Sequence, residues 1–276
     1  MSSGHVSYRA AAETAEQFEA ALSNEKTELI YLDAGTFGPG ELRHFSEEAH
    51  DRGRRIGFRM PCIFRKRARQ YFEEHWKEIE DAGFDIFLIR DMESLFYLRE
   101  KATDMAMELD HSIYVMNSYS EDAISELCGT EAFYMCYPLE LSGRELSSLG
   151  KRLISRTPER KRELVVYGRA PMMVSAQCVR SLREGCSKTP GTEYITDRTG
   201  RKLPVKNYCT FCYNVIYNPV PLYIADMDKE LSLIPHYIRR FEFTVESGEE
   251  VRKVLDGAFG GQQDAYTRGW IRKGVL

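Results

Sequence analysis

Short apolar runs alternate with longer amphipathic segments along most of the chain. Each run is compact, rich in β-branched or aromatic residues and close to turn residues, a pattern typical of strands buried on both faces in a parallel sheet. The runs predict eight strands, at residues 5–11, 29–34, 55–60, 85–91, 112–118, 132–138, 164–170 and 239–245.

The segments between these runs repeat apolar residues at helical spacing and therefore predict helices. Their boundaries are supported by capping residues such as Thr14, with Gln17 three positions later, and by stops such as Gly53 and Gly83. The predicted helices cover residues 14–23, 39–53, 68–83, 92–109, 120–129, 142–153 and 247–257.

Eight strand–helix units in about 250 residues are what a (β/α)8 barrel of the TIM type requires. An open, doubly wound sheet is the alternative. The regular alternation breaks between strands seven and eight, where an insertion at 171–236 intervenes. Loops that leave the C-terminal ends of barrel strands build the active site, so we expect a single barrel domain, residues 1–276, with this insertion over its mouth.

Composition adds little to this picture. The 276 residues are 43% hydrophobic, enough for a full core, and the net charge of -4 gives no general attraction to nucleic acid or membrane. No apolar run approaches the ~18 residues that a membrane-spanning helix needs, and residues 1–17 lack the features of a signal peptide. We therefore expect a soluble, cytoplasmic protein, in which clustered cysteines more often bind metal than form disulfides.

Four of the seven cysteines fall inside the insertion with the spacing C-x7-C-x22-C-x2-C: Cys178, Cys186, Cys209 and Cys212. A C-x2-C pair presents two sulfurs to one ion from a tight turn, whereas the wider first pair departs from the knuckles of a zinc ribbon. Four thiolates also hold iron–sulfur clusters. The sequence therefore predicts a metal or cluster site, and the alternative is that Cys178 and Cys186 are buried packing residues.

The remaining cysteines and the histidines give no clear protease machinery. Cys128 and Cys136 are predicted to be packing residues, whereas Cys62 follows strand three at the expected active face. The sequence has no H-E-x-x-H and no G-x-S-x-G motif, and its six histidines are interpreted as solvated or capping residues. Cys62 would form a thiol dyad with a histidine only through the tertiary fold.

Polar residues at the C-terminal ends of the predicted strands indicate a ligand at the barrel mouth. Arg59 and Arg169 are costly to desolvate without an anionic partner, so they predict binding of a carboxylate or phosphate. For Arg59 the alternative is an internal salt bridge to Asp33 or Asp91, and those aspartates are either paired carboxylates or helix caps. The predicted catalytic residues are Arg169, Arg59, Asn117 and Tyr137.

The segment FRKRARQ, residues 64–70, places four cations at the start of a predicted helix: Arg65, Lys66, Arg67 and Arg69. Cations there oppose the helix dipole, so local helix stability does not explain them. After strand three they would rim the barrel mouth and follow a phosphate backbone, which makes RNA the predicted partner. A solvated charged face is the alternative.

The stretch VVYGRAPMMVSAQC, followed by ITDRTGRKLPVKNYCTFCYNVIYNPVPL and the closing YTRGWIRKG, resembles the core of the collagenase-like peptidase family U32. Its members carry a G-R-x-P-[LM]-M stretch, a set of cysteines, a D-R-x-G-x-x-[FL]-P-V segment and a closing T-R-G. The resemblance covers residues 164–222 and 266–269. It is to the C-terminal region of longer members, which implies either a fragment that has an N-terminal partner domain or a short homologue.

This resemblance implies chemistry that the residues alone do not identify. The family was named for proteolysis, but members of similar sequence act in oxygen-independent or prephenate-dependent hydroxylation of uridine in transfer RNA, cytidine in ribosomal RNA or the ubiquinone ring. Four cysteines hold a [4Fe-4S] cluster in those members, which here implies Cys178, Cys186, Cys209 and Cys212. Zinc stays the alternative because other branches space the last two cysteines more widely.

The leading hypothesis is thus a barrel enzyme that hydroxylates a pyrimidine in RNA, or a related hydroxylase, with a four-Cys [4Fe-4S] site over its mouth. Arg169 and Arg59 would hold an anionic cosubstrate or phosphate. The alternatives are a collagenase-like peptidase with a structural zinc and a non-catalytic accessory domain that presents a surface to a partner region or subunit.

Overall fold

The structure, a computed structural model, describes residues 7–101, 105–128, 133–160, 162–258 and 265–274. Eight parallel strands form its centre: β1 (Tyr8–Ala12), β2 (Thr27–Asp33), β3 (Arg55–Arg59), β4 (Ile86–Ile89), β5 (Ala106–Leu109), β6 (Phe133–Cys136), β7 (Arg162–Gly168) and β13 (Ile238–Glu242). Each strand pairs with its neighbour, and β13 pairs with both β1 and β7, which closes the cylinder. The predicted (β/α)8 barrel is confirmed.

Helices surround the barrel in chain order: α1 (Ala15–Leu22), α2 (Pro39–Asp51), α3 (Lys66–Asp81), α4 (Met92–Lys101), α5 (Ser118–Cys128), α6 (Gly143–Arg156) and α9 (Gly248–Leu255). The predicted caps are confirmed. Thr14 Oγ1 accepts a hydrogen bond from Gln17 N at 3.2 Å. Gly53 and Gly83 follow α2 and α3 with φ of +68° and +73°, the left-handed conformation that ends a helix. None of the helices in the described part of the chain has the length and apolar character that a bilayer crossing requires.

The fifth strand corrects the sequence-based assignment. The residues at 106–109, AMEL, are good helix formers and were predicted to end a helix, but they form β5. Their strand conformation places Glu108 in the barrel interior, where its Oε2 accepts from Arg9 Nη1 at 3.2 Å. The predicted strand at 112–118 is wrong; it holds a 3₁₀ turn (His111–Ile113) and the start of α5. The tertiary contact outweighs local propensity here.

The chain between β7 and β13 forms a separate antiparallel sheet. Its strands β8 (Pro171–Ser175), β9 (Gly191–Thr196), β10 (Lys202–Tyr208) and β11 (Tyr213–Tyr217) are arranged in the order β8-β11-β10-β9. A short helix α7 (Val179–Glu184) follows β8, and the chain returns through β12 (Leu222–Tyr223) and α8 (Asp228–Leu231). Side chains of β10 reach into the barrel, where Lys206 Nζ lies 2.5 Å from Glu13 Oε2, so the sheet covers the mouth.

The barrel interior is filled largely by paired charges, whereas branched aliphatic residues dominate in most barrels of this type. Glu163 is at the centre: its carboxylate accepts from Arg9 Nη1 at 2.5 Å, Arg240 Nη1 at 2.7 Å and Tyr31 Oη at 2.8 Å. All four side chains are fully buried. Burial and the nearby Glu163 raise the pKa of Glu108 well above its usual range, which favours its protonated form.

We expect Glu163→Gln to lower the free energy of unfolding by about 3–5 kcal/mol, because Arg9 and Arg240 would lose a charged partner in a fully buried site. Urea denaturation measures the change. The control is Glu47→Gln, which removes an exposed ion pair with Arg43 on α2 and should leave the midpoint of urea denaturation unchanged. Equal midpoints for the two variants would contradict a stabilising role for the interior network.

Candidate functional site

The four cysteines of the insertion line one cavity of about 300 Å³: Cys178, Cys186, Cys209 and Cys212. The same cavity is lined by Asn207. Because side chains alternate along a strand, and both Lys206 and Tyr208 point into the barrel, Asn207 points to the opposite face of the sheet. The cysteine cavity is therefore on the outer side of the sheet that covers the mouth.

A polar network fixes the first half of this cavity. Cys178 immediately precedes α7, and its Sγ lies 3.6 Å from Asn207 Oδ1. Glu193 of β9 accepts from Asn207 Nδ2 at 2.8 Å and from Arg180 Nε at 2.5 Å. Arg180 also donates to Thr189 O at 2.9 Å, which holds the loop that carries the second cysteine.

The turn between β10 and β11 carries the other two cysteines. Arg67 of α3 donates to the carbonyl oxygens of Cys209 and Thr210 at 3.0 and 2.9 Å, so a barrel helix anchors this turn. Cys212 has φ of +60°, in the left-handed region that a side chain with a Cβ enters at a cost of about 1–2 kcal/mol. Backbone strain of this kind is concentrated at functional sites.

The thiols influence one another electrostatically. The pKa of the Cys209 thiol is raised, first by burial and then by the nearby Cys178, with smaller contributions from Cys186 and Cys212, while Arg180 opposes the shift. Four thiolates in one cavity repel one another unless a cationic centre lies between them. Lys188 and Arg67 also line the cavity, whereas Lys206, three positions before Cys209, faces the barrel.

Four thiols that line one cavity are a donor set that either a zinc ion or an iron–sulfur cluster uses. Zinc binds thiolates at about 2.3 Å, which requires all the sulfurs to meet around a single point. A cluster with one thiolate on each of four irons takes its ligands from around a larger body. Among the described residues, no three His, Cys, Asp or Glu side chains are grouped as they would be around one metal ion.

A second cavity, of about 700 Å³, opens at the barrel mouth and shares no residue with the first. Arg90, Asp110 and His111 line its floor, and Met172, Met173 and Trp270 are among its outer residues. The two cavities meet at Tyr213. This side chain lines the cysteine cavity, and its hydroxyl accepts from the backbone N of Cys62, which lines the mouth cavity, at 3.2 Å.

The internal salt bridge anticipated as the alternative for Arg59 is present. Arg59 Nε donates to Asp33 Oδ2 at 2.8 Å, and its two other nitrogens pair with Glu242 Oε2 at 2.5 Å and with Glu13. Arg59 is 98–99% buried, and every nitrogen of its guanidinium has a carboxylate partner. Arg169 is also near the mouth, where it donates to Asn218 O at 3.2 Å and pairs with Glu246 at 3.4 Å.

Asn117 and Tyr137, predicted to be catalytic, are not among the residues that line the mouth cavity. Asn117 precedes α5, and its Oδ1 accepts from Ser120 N at 2.9 Å, so it acts as a helix cap. Tyr137 is fully buried, with its hydroxyl against Gly150 of α6. Asn117 was selected because residues 112–118 were predicted to form a strand, whereas the strand is at 106–109. Tyr137 follows β6, but its side chain points away from the barrel interior towards α6.

The remaining sequence candidates have structural partners. Asp91 caps α4 by accepting from Ser94 N at 2.7 Å. Cys128 and Cys136 are buried packing residues, as predicted. Cys62 and His111 line the same cavity, but burial raises the pKa of the Cys62 thiol to about 11, which keeps it protonated and unreactive at neutral pH.

The four cations at 64–70 are exposed at the start of α3, and their side chains have different contacts. Arg67 anchors the cysteine turn, and Arg69 donates to Glu100 Oε2 at 2.8 Å. Within the described part of the chain, Arg65 and Lys66 have no ion pair. These two side chains are available to a partner.

Most of the charged and polar residues around the barrel mouth and interior were not predicted from the sequence to be functional. They are Arg9, Glu13, Glu108, Asp110, Glu163, Lys206, Tyr208, Arg240 and Glu242. A signal was present: charges recur at every second position within apolar strands, as in Arg240 and Glu242 of RRFE. Inside a closed barrel this spacing points all of them into the interior.

The sequence model of peptidase family U32 matches residues 28–214, more than half of the chain. The chain belongs to peptidase family U32. The matched residues run from β2 to β7 and include the part of the insertion that carries all four cysteines, whereas β1 and β13 lie outside them. No curated protein matches the chain.

Solved structures similar to this U32 protein have low sequence identity to it. An uncharacterised B. cereus protein has 11% identity and a TM-score of 0.48, with 91% of this chain and 65% of that chain covered. The chain thus spans about two thirds of that protein's length. A probable 3-DHS dehydratase from Bacillus anthracis has 8% identity and a TM-score of 0.49, with 93% and 100% covered. A thiamine phosphate pyrophosphorylase from Pyrococcus furiosus has 10% identity and a TM-score of 0.44, with 92% and 97% covered.

In metal-free protein, we expect Cys212→Gly to be more stable than Cys212→Ala by about 1 kcal/mol, because only glycine adopts the left-handed conformation without strain. Thermal melting of the two variants measures the difference. The same pair of substitutions at Cys209, whose φ is negative, should favour alanine. Equal stability of the Cys212 variants would show that this position is not strained.

Proposed function

We propose that this U32 protein is a hydroxylase-like enzyme that modifies a pyrimidine in RNA, with a [4Fe-4S] cluster held by Cys178, Cys186, Cys209 and Cys212. The observation that carries the proposal is that these four thiols, contributed by three segments of the insertion, line one cavity. Membership of family U32 supports it. The cluster, when bound, would supply one-electron redox chemistry.

The residues around the cysteines have consistent roles in this proposal. Arg67 holds the C-x2-C turn against α3, and the Asn207–Glu193–Arg180 network holds the other two thiols. Lys188 contributes positive charge against the thiolates. Tyr213 separates the cysteine cavity from the mouth and excludes water between them, since it is buried and stacks on Tyr208 with ring centroids 4.9 Å apart.

Arg169 is the predicted catalytic residue that stays a candidate for substrate contact in this proposal. It is partly exposed and shares a small pocket with Arg90 and His111 below the mouth cavity. Arg59 would act by positioning, because its guanidinium is saturated by Asp33, Glu13 and Glu242. A peptidase is less well supported, since the thiol nearest to the mouth, Cys62, is held in its protonated form.

Protein purified without oxygen should contain about four iron and four sulfide per chain and absorb visible light, and Cys209→Ser should lose both iron and colour. Cys62→Ser, which changes a thiol in the other cavity, should retain them. Metal analysis and absorption spectra provide the measurement.

Colourless protein with one zinc would contradict the cluster and favour a structural metal in a peptidase or an accessory domain. The enzymatic part of the proposal has its own test, in which RNA nucleosides are analysed by mass spectrometry from cells that produce the wild type or Cys209→Ser. Equal content of hydroxylated pyrimidines would contradict RNA modification.

The proposed RNA path follows the two unpaired cations. The double variant Arg65→Glu and Lys66→Glu should weaken binding of single-stranded RNA and lower the slope of log K against log salt by roughly 1.4, the contribution of two phosphate contacts. Fluorescence anisotropy across a salt series measures both. Lys77→Glu with Lys151→Glu changes charge equally on exposed helix positions away from the mouth and is the matched control. Equal affinities for the two double variants would argue against this path.

A further inference from the structure

Arg90 differs from Arg9, Arg59 and Arg240 because its side chain makes no short hydrogen bond to a carboxylate of the described residues. Its side chain is 92% buried, yet its one hydrogen bond in the described part of the chain is a long one, from Nη1 to Asp33 Oδ2 at 3.3 Å. Arg9, Arg59 and Arg240 each donate to carboxylates at 2.5–2.8 Å. Arg90 Nε, like Arg9 Nη2 and Arg240 Nε, is buried without a hydrogen-bond acceptor among the residues that the structure describes, but Arg90 alone of these three also lacks a short bond from its other nitrogens.

The carboxylates near Arg90 are already engaged elsewhere. Asp33 accepts from Arg59 Nε and from Gly35 N, both at 2.8 Å. Asp110 pairs with Arg240 and accepts from His111 N at 2.8 Å, and it stays 3.6 Å from Arg90 Nε. A buried guanidinium with five donors and one long hydrogen bond is costly unless a further acceptor completes it.

His111 stands beside Arg90 on the same cavity floor. Its ring has no hydrogen bond to the residues that the structure describes, and the nearest carboxylate oxygen, Asp110 Oδ2, is 3.8 Å from Nε2. Two groups that donate hydrogen bonds thus face one cavity without an acceptor. A planar guanidinium next to an imidazole is suited to a carboxylate or phosphate group.

The rest of this cavity is apolar and open. Met172, Met173 and Trp270 are 62%, 56% and 49% exposed, respectively, and line it opposite the polar floor. A volume of about 700 Å³ is within the usual range of small-molecule sites, in which apolar walls surround a few polar groups. Methionine and tryptophan side chains suit a flat ring.

We propose that the mouth cavity binds a small molecule with a carboxylate or phosphate group, which Arg90 and His111 hold, and a flat apolar body, which packs against Met172, Met173 and Trp270. This ligand site deepens the proposed function, on which it rests for the role of the ligand as substrate or cosubstrate. Binding itself does not need the cysteines, because the two cavities share no residue.

Trp270 provides the measurement. The sequence has two tryptophans, Trp76 and Trp270, so a Trp76→Phe background leaves the cavity residue as the single reporter. Phenylacetate and uridine monophosphate are titrated against their uncharged counterparts, phenylacetamide and uridine. We expect one of the anions to quench the fluorescence of Trp270 in a saturable way. Its Kd should be at least tenfold lower than that of its uncharged counterpart. Preference for phenylacetate indicates a free carboxylic acid, and preference for uridine monophosphate indicates a nucleotide.

Arg90→Gln should weaken binding of the preferred anion by about ten- to hundredfold, because it removes charge-assisted hydrogen bonds. Lys77→Gln removes an exposed cation on α3 away from the mouth and should bind like the wild type. If Arg90→Gln does not fold, Met173→Glu replaces it as the test, since this exposed side chain can change without loss of packing and a carboxylate there repels the anion. Met173→Gln is its matched control.

Absence of saturable binding by both anions would overturn the assignment, as would wild-type affinity in folded Arg90→Gln. Iron content is measured on the same samples. Anion binding in protein without iron would contradict the proposed cluster and leave this site standing, whereas iron-loaded protein that binds neither anion would contradict the site alone.

Discussion

A network of buried ion pairs inside the barrel holds the eight strands in one arrangement. Arg9, Arg240 and Tyr31 all converge on the carboxylate of Glu163, and further towards the mouth Arg59 gathers Asp33, Glu13 and Glu242. Buried charges are tolerated only when each has partners, so the register of the parallel strands is tied to these pairs as well as to the backbone ladder. A shift of one residue in any strand would exchange its inward and outward side chains and leave charges unpaired. The polar interior thus specifies one arrangement of the eight strands.

The same network fixes the insertion over the mouth. Lys206 and Tyr208 of β10 extend it by contacting Glu13, and Tyr217 joins through the hydroxyl of Tyr208. Because side chains alternate along β10, the anchoring of Lys206 and Tyr208 in the barrel turns Asn207 towards the outer face, where the four cysteines line their cavity. The polar residues of the barrel mouth and the four cysteines therefore lie on opposite faces of one sheet, with Tyr213 between them.

The number and length of the hydrogen bonds to carboxylates distinguish structural arginines from candidate ligand contacts. Arg59 was a reasonable choice from its place at a strand end, but its guanidinium is saturated by carboxylates. Arg90, at the equivalent place after β4, is nearly as buried and has one long hydrogen bond. Both arginines stand at the C-terminal end of a predicted strand, so the sequence does not distinguish them. Their difference arises from which carboxylates other strands bring near them, and it leaves Arg90 without a short hydrogen bond to a carboxylate.

The sequence predicted the order of most strands and helices, the position of the insertion and the set of four cysteines, because these depend on local periodicity, on caps such as Thr14 and on the spacing of one residue type. It failed at β5, where helix-forming residues become a strand that places Glu108 opposite Arg9. The pairing of the charges could not be predicted, because it depends on how the barrel closes. Arg9 and Glu163 are 154 positions apart, and no local pattern encodes a contact between residues that only the closure of the barrel brings together.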